Sequence, residues 1–366
     1  LSSFSGSERE SMIYHMLISP LANVSTSQKS SPNDFNKNHF IIGKARNKRQ
    51  QTNGQFKIVA IRRENHAVKL LTHLTVVTTV LFFNAKISLA ESIKVPYVSI
   101  SGFQAPLWLG EKAGAFRRNQ LEVQLIYMPG GSLIVQTLLS GEVGIASLAP
   151  PSAISAWTKG AELVLIAGGI ERALNVLMVS PKIKTPDDLK GKRVAISRFG
   201  SLSDISLRDA LRFYKLRPSQ DVAIAQIGGL GERMVALTSG VVDAAILNVD
   251  QVYQAEKLGY QVLIDLRKLP LNYSTQGIVV GKDFLRNQRS TVKRFLKVYI
   301  EGIKILKTDK EFSTETMARY IKTNDREVLS KTYDVYREAW ESVPYVRREG
   351  VMQALDSMPD VSSRGP

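Results

Sequence analysis

Residues 121–167, LEVQLIYMPGGSLIVQTLLSGEVGIASLAPPSAISAWTKGAELVLIA, decide the fold. Leu121–Tyr127 alternates apolar and polar residues, the period of a half-buried strand. Gly130-Gly131-Ser132 then opens a helix through Leu139, with Ser132 expected as its N-cap and Gly141 as its stop. Val143–Ser147 reads as a short strand. Pro150-Pro151-Ser152 opens a second helix, because proline fits the first helical turn, where an N–H has no partner anyway. Leu163–Ala167 is strand again. Strands and helices alternating with short turns give a mainly parallel sheet covered by helices.

The same rhythm extends both ways. Upstream, Ile93–Ile100 reads as a strand and Ala105–Phe116 as a helix. Downstream, strands are expected at Asn175–Ser180, Arg193–Ser197, Val222–Gln226, Val242–Leu247 and Gln261–Asp265. Helices fall between them, at Thr185–Gly191 (short), from Gly200-Ser201 to about Tyr214, at Gly231–Ser239 and at Asp250–Leu258. A further strand is expected near Gly277–Val280. The remainder reads as helix: Phe284–Leu306, Ser313–Ile321, Asp325–Glu341 and Arg348–Met358, with apolar positions at helical spacing and charged outer faces. The chain therefore carries two α/β units of similar plan.

The first ninety residues are of another kind. Residues 68–90, VKLLTHLTVVTTVLFFNAKISLA, have the layout of a secretory signal peptide: Lys69, an apolar core over Leu70–Phe83, and a small-x-small end at Ser88-Leu89-Ala90. The apolar core falls short of the roughly 20 residues a spanning helix needs. Residues 1–67 are rich in Ser, Asn, Gln and Lys without a sustained apolar period. They are expected to be a disordered or untranslated extension, with Val68 standing for a non-standard start. The working chain is then expected to begin at Glu91 and to act in the periplasm, beyond the cytoplasmic membrane.

Composition narrows the function. Net charge is +16, but residues 1–90 hold 12 Lys/Arg against 4 Asp/Glu, so the working chain carries only half of it. Those charges are dispersed, without the concentrated basic stripe that a nucleic-acid surface requires. The chain has no Cys, and all four His (His15, His39, His66 and His73) precede Glu91. That removes Ser-His-Asp and Cys-His nucleophiles and the commonest zinc ligands. It also removes any lipid-anchoring cysteine, so a soluble protein is expected. Catalysis by carboxylates alone is left, but a non-catalytic binder without metal or cofactor fits better.

Several segments carry a family resemblance. Ser101-Gly102-Phe103-Gln104-Ala105-Pro106-Leu107-Trp108, Glu111–Phe116, Pro129–Ser132, Leu139–Val143, Asp188–Val194 and Ser239–Ala245, in this order, resemble the nitrate/sulfonate/taurine-type solute-binding proteins of ABC importers. The resemblance runs from about Ile93 to Met358. It implies an α/β, type II periplasmic binding protein fold: two lobes, two crossover segments and a central ligand cleft. Lobe one is expected at 91–181 plus 275–366, and lobe two at 182–274. The family usually continues past Ser362-Ser363-Arg364-Gly365-Pro366, so a truncated C-terminus is expected. The implied role is a monomeric, non-enzymatic receptor that closes on a small solute and delivers it to a membrane permease.

In open α/β sheets, ligands bind where strand ends meet helix starts. Gly102, Phe103 and Gln104 follow the first strand. Gly131 and Ser132 start the next helix, and Gly200 and Ser201 do the same in lobe two. Pro150, Ser152 and Asn248 follow further strands, with Asp250 either beside the cleft or only an N-cap. Arg198 offers either a countercharge or a surface charge, whereas Arg233, within a helix, is expected to be structural. One of Phe103 and Trp108 is expected to face ligand and the other the core. The absence of a dense cationic cluster weighs against a small, highly charged oxyanion; sulfonate, nitrate, taurine, aromatic acids and pyrimidines stay open. The alternatives are a same-fold enzyme of pyrimidine or menaquinone synthesis, and an exported sensor. A regulator's effector domain would need a helix-turn-helix that residues 1–67 lack.

Overall fold

The computed structural model describes residues 91–271 and 274–356. The signal peptide and extension expected over 1–90 lie outside the described residues, as do 357–366. In chain order the first part runs β1 (Glu91–Tyr97), α1 (Ala105–Lys112), α2 (Ala115–Arg118), β2 (Leu121–Tyr127), α3 (Gly131–Leu139), β3 (Ile145–Leu148), α4 (Pro150–Trp157) and β4 (Leu163–Ile170). Next come β5 (Asn175–Val179), β6 (Arg193–Ile196), α5 (Leu202–Phe213), β7 (Ala223–Gln226), α6 (Leu230–Thr238), β8 (Ala244–Asn248), α7 (Val249–Lys257) and β9 (Gln261–Asp265). The chain returns through β10 (Gln276–Gly281), α8 (Lys282–Asn287), α9 (Arg289–Thr308), α10 (Lys310–Ile321), α11 (Arg326–Ala339) and α12 (Arg348–Asp356).

Two five-stranded sheets result, ordered β2-β1-β3-β10-β4 and β7-β6-β8-β5-β9. In each, the first three strands run parallel and the fourth runs antiparallel to both its neighbours. This is the type II periplasmic binding protein plan of two α/β lobes facing a central cleft. The chain crosses over between β4 and β5 and returns between β9 and β10. Where the crossovers run side by side, the Thr275 N–H donates to Ile170 O at 2.8 Å, and its hydroxyl donates to Arg172 O at 2.8 Å. The expected boundary at 181/182 needs correction on one strand. Val176–Val179 pairs with β8 and β9, so β5 belongs to the second sheet.

Sequence patterning explains the layers. Alternate residues of each sheet enter different apolar clusters. Leu177, Val194, Ile196 and Ile246 pack under α5, while Val176, Met178, Ala195 and Leu247 pack under α6 and α7. Such side chains contribute about 1.5–3 kcal/mol each when fully buried. In lobe one, Trp108, Phe295, Tyr299, Tyr336 and Trp340 are almost wholly buried between α1, α9 and α11. Gly302 lets α9 lie on α1: a Cβ there would sit 1.9 Å from Pro106 O. The long helix expected over 284–306 is divided at Gln288, where α8 stops and α9 starts. Among the described residues, no helix is long and apolar enough to cross a membrane.

Candidate functional site

Five helices begin at one place. α3, α4, α5, α6 and α7 each follow a strand, and their N-cap residues Gly130, Ala149, Ser201, Gly229 and Asn248 line a single cavity of about 50 Å³ between the sheets. No side chain at Gly130, Ala149, Ser201 or Gly229 caps a first-turn N–H of its helix. First-turn N–H groups and the positive ends of the helix dipoles therefore face the cavity. Each helix start stabilises an anion by about 0.3–1 kcal/mol, more where it is partly buried. α4 differs, because Pro150 and Pro151 have no N–H to offer. It contributes its dipole and the Ser152 hydroxyl.

The expected cap of α3 also needs correction. The helix starts at Gly131, with Gly130 as cap at φ 98°, and Ser132 lies one residue inside. A side chain rarely adopts that φ, and the Arg198 stem packs over the same spot, 3.0 Å from where a Cβ would be. Arg198 thus covers the lip of the cleft and is not part of the cavity lining.

One cation does line the cavity. Arg233, in α6, is 5% exposed. Its Nε donates to Gly229 O at 3.3 Å and its Nη1 to Ile246 O. Among the described residues no carboxylate forms an ion pair with it. Burial brings its guanidinium from the usual 12.5 to about 10, with only Tyr127 and Glu232 acting the other way. Arg233 is therefore not merely structural: it places a desolvated positive charge at the cleft.

Hydroxyls and amides complete the lining. Ser197, Ser201 and Ser203 form a triangle, with Oγ separations of 2.7, 2.8 and 3.0 Å. Ser152 Oγ and Asn175 Oδ1 are buried and have no hydrogen-bond partner among the described residues. An unpaired buried polar atom costs roughly 1–3 kcal/mol, so two at one cavity point to a solute that pairs with them. Behind them, Gln276 Nε2 donates to Ser147 Oγ at 2.6 Å, and Ser147 Oγ donates to Gln104 Oε1 at 2.8 Å.

Of the expected site residues, Phe103, Gly131, Ser152, Ser201 and Asn248 come together at the cavity. Gln104 lies one layer behind. Gly102 is packed under Tyr336, whose ring would be 2.0 Å from a Cβ there, so its small size serves that ring. Ser132 and Gly200 face each other across the lip, with Ser132 Cβ 4.0 Å from where a Gly200 Cβ would be. Pro150 packs toward Gly277 behind the wall. Trp108 is a core residue, leaving Phe103 as the cleft aromatic. Asn175, Gly229, Arg233 and Gln276 were not expected at the site. Gly228-Gly229 had the same signal as Gly130-Gly131, a glycine pair between strand and helix. Asn175 and Gln276 sit on the crossovers and had none.

The lobes are in contact around this cavity. Asn248 Nδ2 donates to Ser101 Oγ at 3.0 Å, and Tyr336 Oη donates to Asp250 Oδ1 at 2.9 Å. Lys257 pairs with Asp325 at 2.6 Å on the surface. Burial raises Asp250 to about 6, a rise held back by the bonds from Tyr336 and Gln251. Burial also pushes Tyr127, beside Gly229, up to about 12.

A family model described as NMT1/THI5 like matches residues 104–311. The taurine-binding periplasmic protein of Escherichia coli (strain K12) is 32% identical over 177 residues, covering 47% of this chain and 53% of that protein. The chain thus spans about half the length of the curated relative it matches. The alkanesulfonate-binding protein SsuA from Xanthomonas axonopodis pv. citri bound to MOPS superposes with TM-score 0.63 at 19% identity, over 73% of this chain and 90% of its own. The periplasmic nitrate-binding protein NrtA from Synechocystis PCC 6803 gives 0.58 at 13%, over 66% and 70%. These likenesses agree with the fold described above.

Proposed function

We propose that this chain, which belongs to the NMT1/THI5-like family, is the solute-capturing component of an ABC importer, closing its lobes on a small organic anion or zwitterion. One observation carries this reading: five helix starts and the buried Arg233, which has no ion-pair partner among the described residues, converge on one cavity. That arrangement holds an acidic group without needing a cluster of formal charges. The cavity suits a solute of a few heavy atoms, far below drug size. The relative's name and the SsuA likeness support a sulfonate first, with nitrate and carboxylates next.

Capture follows from the geometry. A solute entering between parted lobes meets the starts of α3 and α4 on one side and those of α5, α6 and α7 on the other. Contacts made only when both sides are engaged shift the equilibrium toward closure. The contacts Asn248–Ser101 and Tyr336–Asp250 are then made, and the closed shape is what a permease would read. No bond is broken in this scheme, and the protein works as an exported monomer. A thermal-shift screen of sulfonates, nitrate, carboxylates and pyrimidines tests the reading. A true solute at 100 times its Kd stabilises by about 2.7 kcal/mol. A chemically modified product in place of recovered solute would favour an enzyme.

A further inference from the structure

At the lip of the cleft the lobes meet through Arg198. Its main chain is fixed in the turn between β6 and α5. Arg198 O accepts from Ser201 Oγ at 2.6 Å and from the Ser201 N–H at 3.2 Å. The next two N–H groups are tied as well, Phe199 donating to Gln226 Oε1 at 3.1 Å and Gly200 to Asp204 Oδ2 at 2.9 Å. From this turn the side chain reaches across to lobe one. Its Cβ, Cγ and Cδ lie 3.0 to 3.1 Å from the place a Gly130 Cβ would take, and Gly130 itself lines the cavity. The crossovers also supply lining, through Asn175, Thr275 and Gln276, but they stay joined when the lobes part, whereas the edge at Arg198 and Gly130 opens. The space enclosed is small. At about 10–15 Å³ for each water-sized group, a cavity of about 50 Å³ holds roughly three to five of them. An acid group and a short carbon chain fill it.

We propose that Arg198 is the specificity-determining residue for solute length: its stem, seated on Gly130 when the lobes close, shuts the space into which a longer tail would run, so that the cleft takes short-chain sulfonates. The inference rests on the solute-capture reading above. Arg233 and the helix starts hold the acid group, which every candidate shares, and Arg198 meets only what projects from it. A tail too long for the cavity has to push the stem off Gly130. The turn beneath the stem is held by its own hydrogen bonds and gives little. The lobes are then kept apart, and the contacts that favour closure are lost.

Isothermal titration of the full chain with ethanesulfonate and hexanesulfonate tests this, since the two share the acid group and differ only in the tail. The unaltered chain is expected to bind hexanesulfonate at least about tenfold more weakly, the scale of forcing extra methylenes into a filled space. In Arg198→Ala the preference is expected to shrink to within about threefold. The bonds that hold the turn run to main-chain atoms of residue 198 and survive that change. Arg198→Met keeps a stem of similar length without the charge and is expected to retain the full preference. Loss of the charge alone, or a merely structural loss, would weaken both sulfonates alike and leave their ratio intact. Binding of the two within about threefold of each other by the unaltered chain overturns the proposal whether or not the variants fold. So does an unchanged ratio in folded Arg198→Ala. A ratio that Arg198→Met loses as fully as Arg198→Ala overturns it too, since the effect would then belong to the charge. If neither sulfonate binds the unaltered chain, the sulfonate reading itself fails and takes this one with it.

Discussion

Replacing Arg233 by methionine separates the cost of this cation from its use. Its guanidinium is brought down by burial to about 10 from 12.5. At about 1.4 kcal/mol per unit, the solute-free protein gives up roughly 3 kcal/mol to keep it charged. Arg233→Met removes that cost but strips two bonds, to Gly229 O and Ile246 O. Gly229 O keeps the backbone N–H of residue 233, so the loss falls on Ile246 O and costs about 1–3 kcal/mol. The terms oppose, so the solute-free stability is expected to change by less than about 2–3 kcal/mol in a urea titration. Binding has no such offset. A unit charge about 4 Å away contributes about 4 kcal/mol at an effective dielectric constant of 20. The best sulfonate is therefore expected to lose roughly a thousandfold in Kd by calorimetry. Loss of less than about threefold in a folded variant would refute the assignment of Arg233 to the acidic group.

Three further outcomes follow. Gly102→Ala drives a Cβ into the Tyr336 ring and is expected to cost about 1–3 kcal/mol in a urea titration; a change under about 0.5 kcal/mol would mean the ring moves aside freely. Glu171, on the first crossover, is held up to about 7 chiefly by burial, and among the described residues neither of its carboxyl oxygens has a hydrogen-bond partner. Its folded form prefers the proton, so its stabilising contribution is present below about 4.5 and is lost as pH climbs to about 7. Asp250, raised to about 6, acts with the same sign over the lower part of that window. Glu171→Gln is expected to flatten the fall in urea midpoint between pH 5 and 7, and an unchanged slope would place the titration elsewhere. Ser147→Val leaves the facing amides of Gln104 and Gln276 only their long mutual contact at 3.4 Å and is expected to cost about 1–3 kcal/mol with no change in which sulfonate binds best.

The sequence made the local elements legible because strand alternation and helix-start signals are short-range. Leu121–Tyr127 and Gln261–Asp265 end where their patterns end. Lobe membership is long-range and was not legible. Nothing in Asn175–Val179 says that its partners are Ala244–Asn248 and Gln261–Asp265. The same division runs through the site. Gly131, Ser152, Ser201 and Asn248 were found because each sits at a strand-to-helix turn. Asn175 and Gln276 reach the cavity only through the crossovers, and Arg233 only because α6 starts there and turns its second-turn residue back toward Gly229. Gly102 illustrates a correct residue with a wrong partner, since a small residue signals a close approach without saying by what.

The central claim is that the two lobes close around a small anionic solute. The chain has no cysteine of its own, so Leu139→Cys in lobe one and Val241→Cys in lobe two, at sites half exposed, give a unique pair of spin labels. Pulsed electron-spin distance measurement is expected to show a broad, longer distribution without solute. It should narrow to one shorter distance at saturation with the best-stabilising compound of the thermal screen. A distribution that saturating solute leaves unchanged would contradict the account.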